Sequence, residues 1–407
     1  MSADRSDGVR VAMIGQRGVP ATYGGVEHHV EQLGWRLATR GHDVTVFCRT
    51  NYVRGSQSEY RGMRLRRFPT VNSKCFDAIA HSALCTLATF PDRYDIVHYH
   101  ALGPGALAPI PKYLSRARVV HTIHGLDHQR AKWGRGAKGF LRCAAWISGH
   151  VPDATVVVSH ALAEHYRERY GRWALYIPNG VNEPSYQAPD KITVRWGLTK
   201  GSYLLFVGRL VPEKAPDLLI RAFRRIQGNL RLVVVGGSCF TDKYTTSVHD
   251  QAAADSRVLL LGYVYGQLLA ELYSNTAAFV LPSTLEGLPL TLLEAASHGI
   301  SIVASDLPPH VEVLGDDGPG HRLFPAGDED GLISVLEHIL KDRAVEQTGA
   351  TALRQEVLHR YRWDDTAAAT ERLYLDLLQG PPDRLRARHH TGSSAAAWSR
   401  SFTSGHV

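Results

Sequence analysis

The sequence has no stretch of about 18 uncharged apolar residues, the length that crosses a bilayer as a helix. Its start, MSADRSDGVRVAMIG, does not run basic and then apolar as a secretory leader does. The expectation is a cytoplasmic protein. Cysteine is scarce, with five in 407 residues (Cys48, Cys75, Cys85, Cys143, Cys239) and no CxxC pair. That spacing argues against a disulfide framework and against a zinc ribbon, so the five are read as reduced thiols, mostly buried. Neither sign of charge dominates: 46 Lys and Arg against 39 Asp and Glu give a formal net charge of +7. So small an excess gives no reason to expect a nucleic-acid partner. No internal repeat of fixed period occurs, and no GxGxxG fingerprint follows any strand-like run.

What is present is an ordinary globular composition, 44% hydrophobic and 21% charged, in a chain too long for one core. Short β-branched runs alternate with helix-periodic stretches throughout, the pattern of parallel α/β domains. The first half offers VRVAMIG, DVTVFCR, MRLRRF, DIVHYH, RVVHTIHG, ATVVVS and ALYIPNG; the second offers YLLFVGRL, LRLVVVGG, VLLLGY, AAFVLPS and SIVASD. Val26, Val30, Leu33 and Leu37 recur at helical spacing after the first strand, and Gly41 closes that helix. Two Rossmann-like domains are expected, 1–183 and 184–363, joined in a polar, proline-bearing stretch. A last helix, 364–380, begins at Asp364 and Asp365 and stops at Gly380 before two prolines. The tail 381–407, with four arginines against one aspartate and no apolar face, reads as a disordered basic segment.

Three stretches carry chemistry. IGQRGVPATYGGVEHHVEQL is a glycine-rich loop opening a helix, where Gly24 and Gly25 would let the backbone come close to an anion or simply pack. The next strand ends in Cys48 and Arg49 rather than in the acid that holds a dinucleotide's ribose. FVGRLVPEKAP sets Gly208 and Arg209 at a strand end and Lys214 five residues on; a guanidinium fork and an ammonium suit a pyrophosphate, unless Lys214 merely bonds Glu213. LPSTLEGLPLTLLEAASHG leaves a strand, turns through Gly287, Leu288 and Pro289, and enters a helix carrying Glu294. Glu286 then lies in the loop at the sheet's C-terminal edge, where open α/β sheets bind ligands, and the N–H groups near Leu290 and Thr291 remain for a phosphate.

This last segment resembles the E-x7-E signature of retaining, GT-B-fold glycosyltransferases of family GT4. FVGRLVPEKAPDLLIRAF is similar to that family's donor-phosphate motif, and YIPNGV to its interdomain segment. QRGVPATYGGVEHHVEQL and HGLDHQRAKWG are similar to a bacterial subgroup found among polysaccharide-assembly and rhamnosyltransferase-like proteins. The resemblance spans about residues 9 to 380 and implies two doubly wound domains facing a central cleft, with the C-terminal helix crossing back to the first. It also implies that Arg209 and Lys214 hold the donor diphosphate, that Glu294 holds the ribose, and that Glu286 contacts the transferred sugar. His124, in HTIHGLD, matches the active-site histidine near the anomeric carbon. His121 alternates to the other strand face and reads as core, while Asp127 either orients a ring nitrogen or caps the next helix.

The function implied is transfer of a sugar from a nucleoside-diphosphate sugar to a hydroxyl of a lipid-linked or saccharide acceptor. Neither a cofactor nor a metal is expected: Asp328-Glu329-Asp330, the one D-x-D, starts a helix and is explained by capping. Ile79, Ala80, Ala83, Leu84 and Leu87, with Phe76, form a helical apolar stripe, and Lys112 to Cys143 gathers eight Lys and Arg against one Asp. Together they suit peripheral contact with an anionic membrane, the alternatives being a packed core helix and a solvated basic face. Two rival functions share the fold, a nucleotide-sugar epimerase that needs no acceptor and a non-catalytic sugar-nucleotide sensor. A phosphorylase reading would need a pyridoxal-phosphate lysine site that the sequence does not offer.

Overall fold

A computed structural model describes residues 8–52, 57–71, 77–130, 133–237 and 242–380. The expectations for Phe76, Cys75, Cys239, Lys132 and the tail 381–407 lie outside the described residues. The chain divides into two compact units, Met1–Gly180 with Trp363–Val407, and Val181–Arg362.

The first unit holds an eight-stranded sheet: β1 (Arg10–Ile14), β2 (Asp43–Arg49), β3 (Glu59–Tyr60), β4 (Met63–Phe68), β5 (Ile96–His100), β6 (Arg118–Ile123), β7 (Ala154–Val157) and β8 (Leu175–Tyr176). Their spatial order is β3-β4-β2-β1-β5-β6-β7-β8. Every neighbouring pair is parallel except β3 with β4. Val11 to Ile14 are completely buried, as a parallel strand covered on both faces requires. The helix Gly25–Thr39 lays Val30, Leu33 and Leu37 on this sheet, and Gly41 follows it at φ 93°, a conformation only glycine takes without strain. The helix Trp363–Gln379 returns to the same unit. Arg36 Nε donates to Asp364 at 2.8 Å, Thr366 Oγ1 to the Pro178 carbonyl at 2.9 Å, and a Cβ on Gly180 would come within 2.3 Å of the Trp363 nitrogen.

The second unit holds a wholly parallel six-stranded sheet: β9 (Tyr203–Val207), β10 (Arg231–Val235), β11 (Val258–Gly262), β12 (Ala278–Leu281), β13 (Ile302–Ser305) and β14 (His321–Phe324). Their order is β11-β10-β9-β12-β13-β14. Leu204, Phe206, Leu219, Phe223, Leu232 and Val280 centre its core. The sequence signalled twelve of these fourteen strands. β3 is a two-residue hairpin arm, and β14, with the sequence His-Arg-Leu-Phe, is too short and too polar to show a period.

Helix Asp77–Leu87 corrects the core-helix expectation. His81, Ser82, Cys85 and Thr86 are buried, whereas Leu84 and Leu87 are 42% and 59% exposed. Thr86 on this inward polar face is partnered: its Oγ1 bonds the Tyr99 hydroxyl at 2.7 Å and donates to the Ser82 carbonyl at 2.7 Å. Of the described cysteines, Cys48 and Cys85 are buried free thiols and Cys143 is exposed. Among the described residues no helix is long and apolar enough to cross a membrane.

Candidate functional site

In an open parallel sheet the strand order reverses at one point, and the crevice beyond the strand ends there accepts ligands. In the second unit that point lies between β9 and β12, which pair directly. Gly208 and Arg209 follow β9, and Ser283 to Glu286 follow β12. The reversal thus brings the two motifs to one edge.

Several bonds join them. The Thr284 amide donates to the Glu213 carbonyl at 2.9 Å, tying the loop after β12 to the short 3-10 turn Pro212–Lys214. Lys214 Nζ then donates to Glu286 Oε1, which also accepts from Ser283 Oγ at 2.7 Å. Lys214 therefore pairs with Glu286 rather than with Glu213, which lies 3.9 Å from Arg209 Nη2. Burial alone would raise the Glu286 pKa. Lys214 and His310, with hydrogen bonds from Lys214 and Ser283, outweigh it and hold the carboxyl below its usual value. His310 is itself fixed by a 2.7 Å bond between Nδ1 and the Ser305 carbonyl, and burial lowers its pKa.

The helix Leu290–Ser297 starts just after this loop, with Gly287, Leu288 and Pro289 buried before it. Its first amides, those of Leu290 and Thr291, have no acceptor within the helix, and Thr291 Oγ1 is buried without a hydrogen-bond partner among the described residues. Glu294 sits one turn in, half-buried, where the Tyr273 hydroxyl donates to its Oε2 at 3.0 Å. Tyr273 is held in turn by stacking on His298, with ring centroids 5.2 Å apart. Gly208 leaves room for its neighbours: a Cβ there would press Phe206 at 3.0 Å, and one on Gly236 would strike the Gly208 carbonyl at 1.8 Å. Asp328 Oδ1 accepts from the Gly331 amide at 3.1 Å, the capping bond expected of it.

In the first unit the reversal lies between β1 and β5. Gly24, at φ 106°, ends the loop that follows β1, and Gly25 opens the helix. A Cβ on Gly24 would lie 2.0 Å from Glu27 Oε2, so glycine there has a packing reason. Glu27 Oε1 accepts from the Arg17 amide at 3.0 Å and Glu31 Oε2 from the Ala21 amide at 2.6 Å. These two acids shape the glycine-rich loop, a role the sequence did not announce. His124 follows β6 and is half-buried, with Nε2 3.3 Å from Nδ1 of His100, the last residue of β5. His29 lies against both, its ring centroid 4.6 Å from that of His124 and 5.5 Å from that of His100. Burial lowers the pKa of all three rings, to about 4 for His29 and well below the ordinary value for His100 and His124. His121 is buried, bonds the Ala101 carbonyl at 2.8 Å, and is a core residue as expected. Asp127 starts a 3-10 turn and pairs with Arg130 at 3.0 Å.

Comparison with known proteins gives this geometry a family. Residues 23–183 match the model of Glycosyltransferase Family 4, and residues 201–342 match that of Glycosyl transferases group 1. An uncharacterized glycosyltransferase of Methanocaldococcus jannaschii is 24% identical over 90% of this chain and 98% of its own length. The phosphatidyl-myo-inositol mannosyltransferase of Mycolicibacterium smegmatis is 27% identical over 86% of this chain and 90% of its own. Among solved structures, the sucrose-phosphate synthase of Thermosynechococcus elongatus superimposes with a TM-score of 0.77 at 23% identity, covering 91% of this chain and 99% of that one. Anabaena HepE in complex with UDP-glucose gives 0.75 at 18% identity, over 90% and 99%. With both units matched by family models and the fold shared over 91% of its length, the chain is a GT4 glycosyltransferase of the GT-B fold.

Proposed function

We propose that the chain is a retaining transferase that moves a sugar from a nucleoside-diphosphate sugar to a hydroxyl of a lipid-linked or saccharide acceptor. Assembly of a cell-surface polysaccharide or glycoconjugate is its setting, in keeping with the resemblance of QRGVPATYGGVEHHVEQL and HGLDHQRAKWG to the rhamnosyltransferase-like subgroup. The observation that carries this reading is the Lys214–Glu286–Ser283 group beside Arg209 at the strand reversal of the second unit. It joins cations for a diphosphate to a buried carboxylate for sugar hydroxyls. The likeness to Anabaena HepE, a protein solved in complex with UDP-glucose, supports a nucleotide-sugar donor.

In this reading Arg209 and Lys214 hold the diphosphate, with the amides of Leu290 and Thr291 at the helix start, the bare backbone of Gly208 and Gly287, and the backbone of Leu288 beside it. Gly24 and Gly25 keep the backbone accessible at the first unit's own strand reversal. Glu294, oriented by Tyr273, binds the ribose hydroxyls. Breaking the sugar–phosphate bond builds negative charge on the leaving diphosphate, and fixed cations stabilise that charge without reorganisation. No metal is needed for this step. Glu286, anchored by Lys214 and Ser283, orients the sugar rather than attacking it, and the departing phosphate helps to deprotonate the acceptor on the same face. His124 is the first unit's catalytic contribution, at the sugar's anomeric end.

The acceptor side carries a further expectation. Leu84 and Leu87 on helix Asp77–Leu87, and Phe140 and Trp146 on helix Arg135–His150, are exposed. Both helices pack on the short helix Leu102–Gly105. Arg135, Lys138 and Arg142 accompany the aromatics, a combination suited to an anionic leaflet and hence to the cytoplasmic face of a membrane.

Thermal-shift screening against UDP-, GDP-, ADP- and dTDP-sugars, repeated with Glu294→Ala, tests the donor site, because a ligand bound only to the folded state raises the melting temperature. A shift with one nucleotide family, lost in the variant, is the expected result. A shift that survives Glu294→Ala unchanged refutes the role given to that carboxylate.

A further inference from the structure

Three histidines from three separate elements meet in the first unit: His29 on the helix Gly25–Thr39, His100 ending β5, and His124 following β6. One ring nitrogen of each lies within 4.8 Å of the other two. We propose that they form a binding site for a single late first-row divalent cation of the Zn2+ class, held by three imidazoles with a fourth position open to solvent beside His124.

Four observations carry this. First, His100 Nδ1 and His124 Nε2 are 3.3 Å apart, which is the separation of two ligands in a tetrahedral site with Zn–N bonds of about 2.1 Å, roughly 3.3–3.4 Å. Second, His29 is prepared as a ligand: its Nδ1 donates to Asn179 Oδ1 at 2.8 Å, which leaves Nε2 carrying the lone pair. A histidine ligand commonly has its second nitrogen fixed in this way by an outer partner. Third, His29 Nε2 is buried with no hydrogen-bond partner among the described residues, as is His100 Nε2. A buried imidazole nitrogen left unpaired costs stability, and a cation would satisfy the one on His29. Fourth, the supporting shell is built. His98 stacks on His100 with centroids 4.2 Å apart, and its own nitrogens are taken by the Tyr374 hydroxyl at 2.6 Å and Thr122 Oγ1 at 2.7 Å. His98 thus braces the ligand ring without competing for the ion.

An all-imidazole donor set favours Zn2+, Cu2+ or Ni2+ over Mg2+ or Ca2+, which prefer oxygen. His29 and His100 are buried and His124 is half-buried, so an ion reaches the site on the His124 side. The donor-side group at Arg209, Lys214 and Glu286 is in the other unit and is not among the three ligands. One consequence rests on the transferase reading. An ion bound to Nε2 of His124 withholds that nitrogen from the sugar, so Zn2+ should inhibit transfer and a chelator should restore it.

The test is a Co2+ titration of the full chain after dialysis against a chelator, read by visible absorption. The expected result is a tetrahedral Co2+ spectrum that saturates at one ion per chain and is displaced by Zn2+. The spectrum should be absent from His29→Ala and from His124→Ala, with circular dichroism confirming that each variant is folded. His124 is the safer of the two positions because it is only half-buried. Absence of a tetrahedral spectrum from the wild-type chain, or its persistence in folded His124→Ala, overturns the site. Because absorbance is read without donor or acceptor, this result does not depend on whether the transferase reading holds. Inhibition by Zn2+ with an intact spectrum supports both readings together. An intact spectrum without inhibition keeps the metal site and removes His124 from the proposed reaction.

Discussion

Lys214→Met removes the ammonium that touches Glu286 and keeps most of the side chain's volume. The Glu286 and Lys214 side chains are 9% and 14% exposed, so the carboxylate that remains cannot turn to water without moving its loop. Deleting one partner of a buried ion pair costs about 3–5 kcal/mol. The Ser283 hydroxyl still donates to Glu286 at 2.7 Å, which puts the expectation at the low end, about 3 kcal/mol. For a unit of this size, roughly 2–4 °C of melting temperature per kcal/mol makes that about 6–12 °C, readable by differential scanning fluorimetry. Glu286→Gln in the Lys214→Met background replaces the stranded charge with a neutral amide and should recover much of the loss, giving a coupling of about 2 kcal/mol in the double-mutant cycle. The pH dependence has a definite sign. The Glu286 pKa is held below its usual 4.5, so its stabilisation is present above that value and disappears as pH falls through the lower, folded one. The deficit of Lys214→Met should therefore shrink in acid. A variant that melts within about 2 °C of wild type at pH 7, or strictly additive losses in the cycle, would refute the reasoning.

Arg209→Lys keeps the charge but loses the planar fork, so the donor's kcat/KM should fall about 10- to 100-fold while the melting temperature stays unchanged. Equal losses in kcat/KM and in stability would point to a structural arginine instead. Burial holds His81, His121 and His298 near pKa 4, from an ordinary 6.5. The unfolded chain therefore binds protons that the folded one refuses between pH 6.5 and 4, and stability should fall as pH drops through that window, by up to about 3 kcal/mol per ring. Denaturant unfolding at pH 7 and pH 5 checks this; a stability that is flat or rises on acidification contradicts it.

The order of elements was legible because it depends on local period. Runs such as Val11 to Ile14 and Leu232 to Val235 are apolar on both faces, and a parallel strand between two helical layers has no other composition. Asp328 was legible as a cap for the same reason, since its partner amide is three residues away. The acids Glu286 and Glu294 could be singled out because Gly287 and Pro289 between them serve no ordinary helix start. Ser283, His310 and Tyr273, which hold those acids, could not, because nothing in their own neighbourhoods marks them. The outward turn of Leu84 and Leu87 was equally hidden: a helix of mixed faces does not say which face finds partners, and here the polar one did.

The sequence by itself determined two parallel α/β units, their strand order along the chain, and the residue types needed for a diphosphate and a sugar. Tertiary structure alone decided which of them meet. Lys214 had an acid beside it in sequence, Glu213, yet pairs with Glu286, 72 positions away, because β9 and β12 are neighbours at the strand reversal. His29, His100 and His124 converge for the same reason on the other sheet, where β1, β5 and β6 lie side by side. Local propensity acts over a few residues and fixes elements. Only the closing of the sheets, driven by burial of their apolar faces, sets the distances at which charges pair and ligands gather.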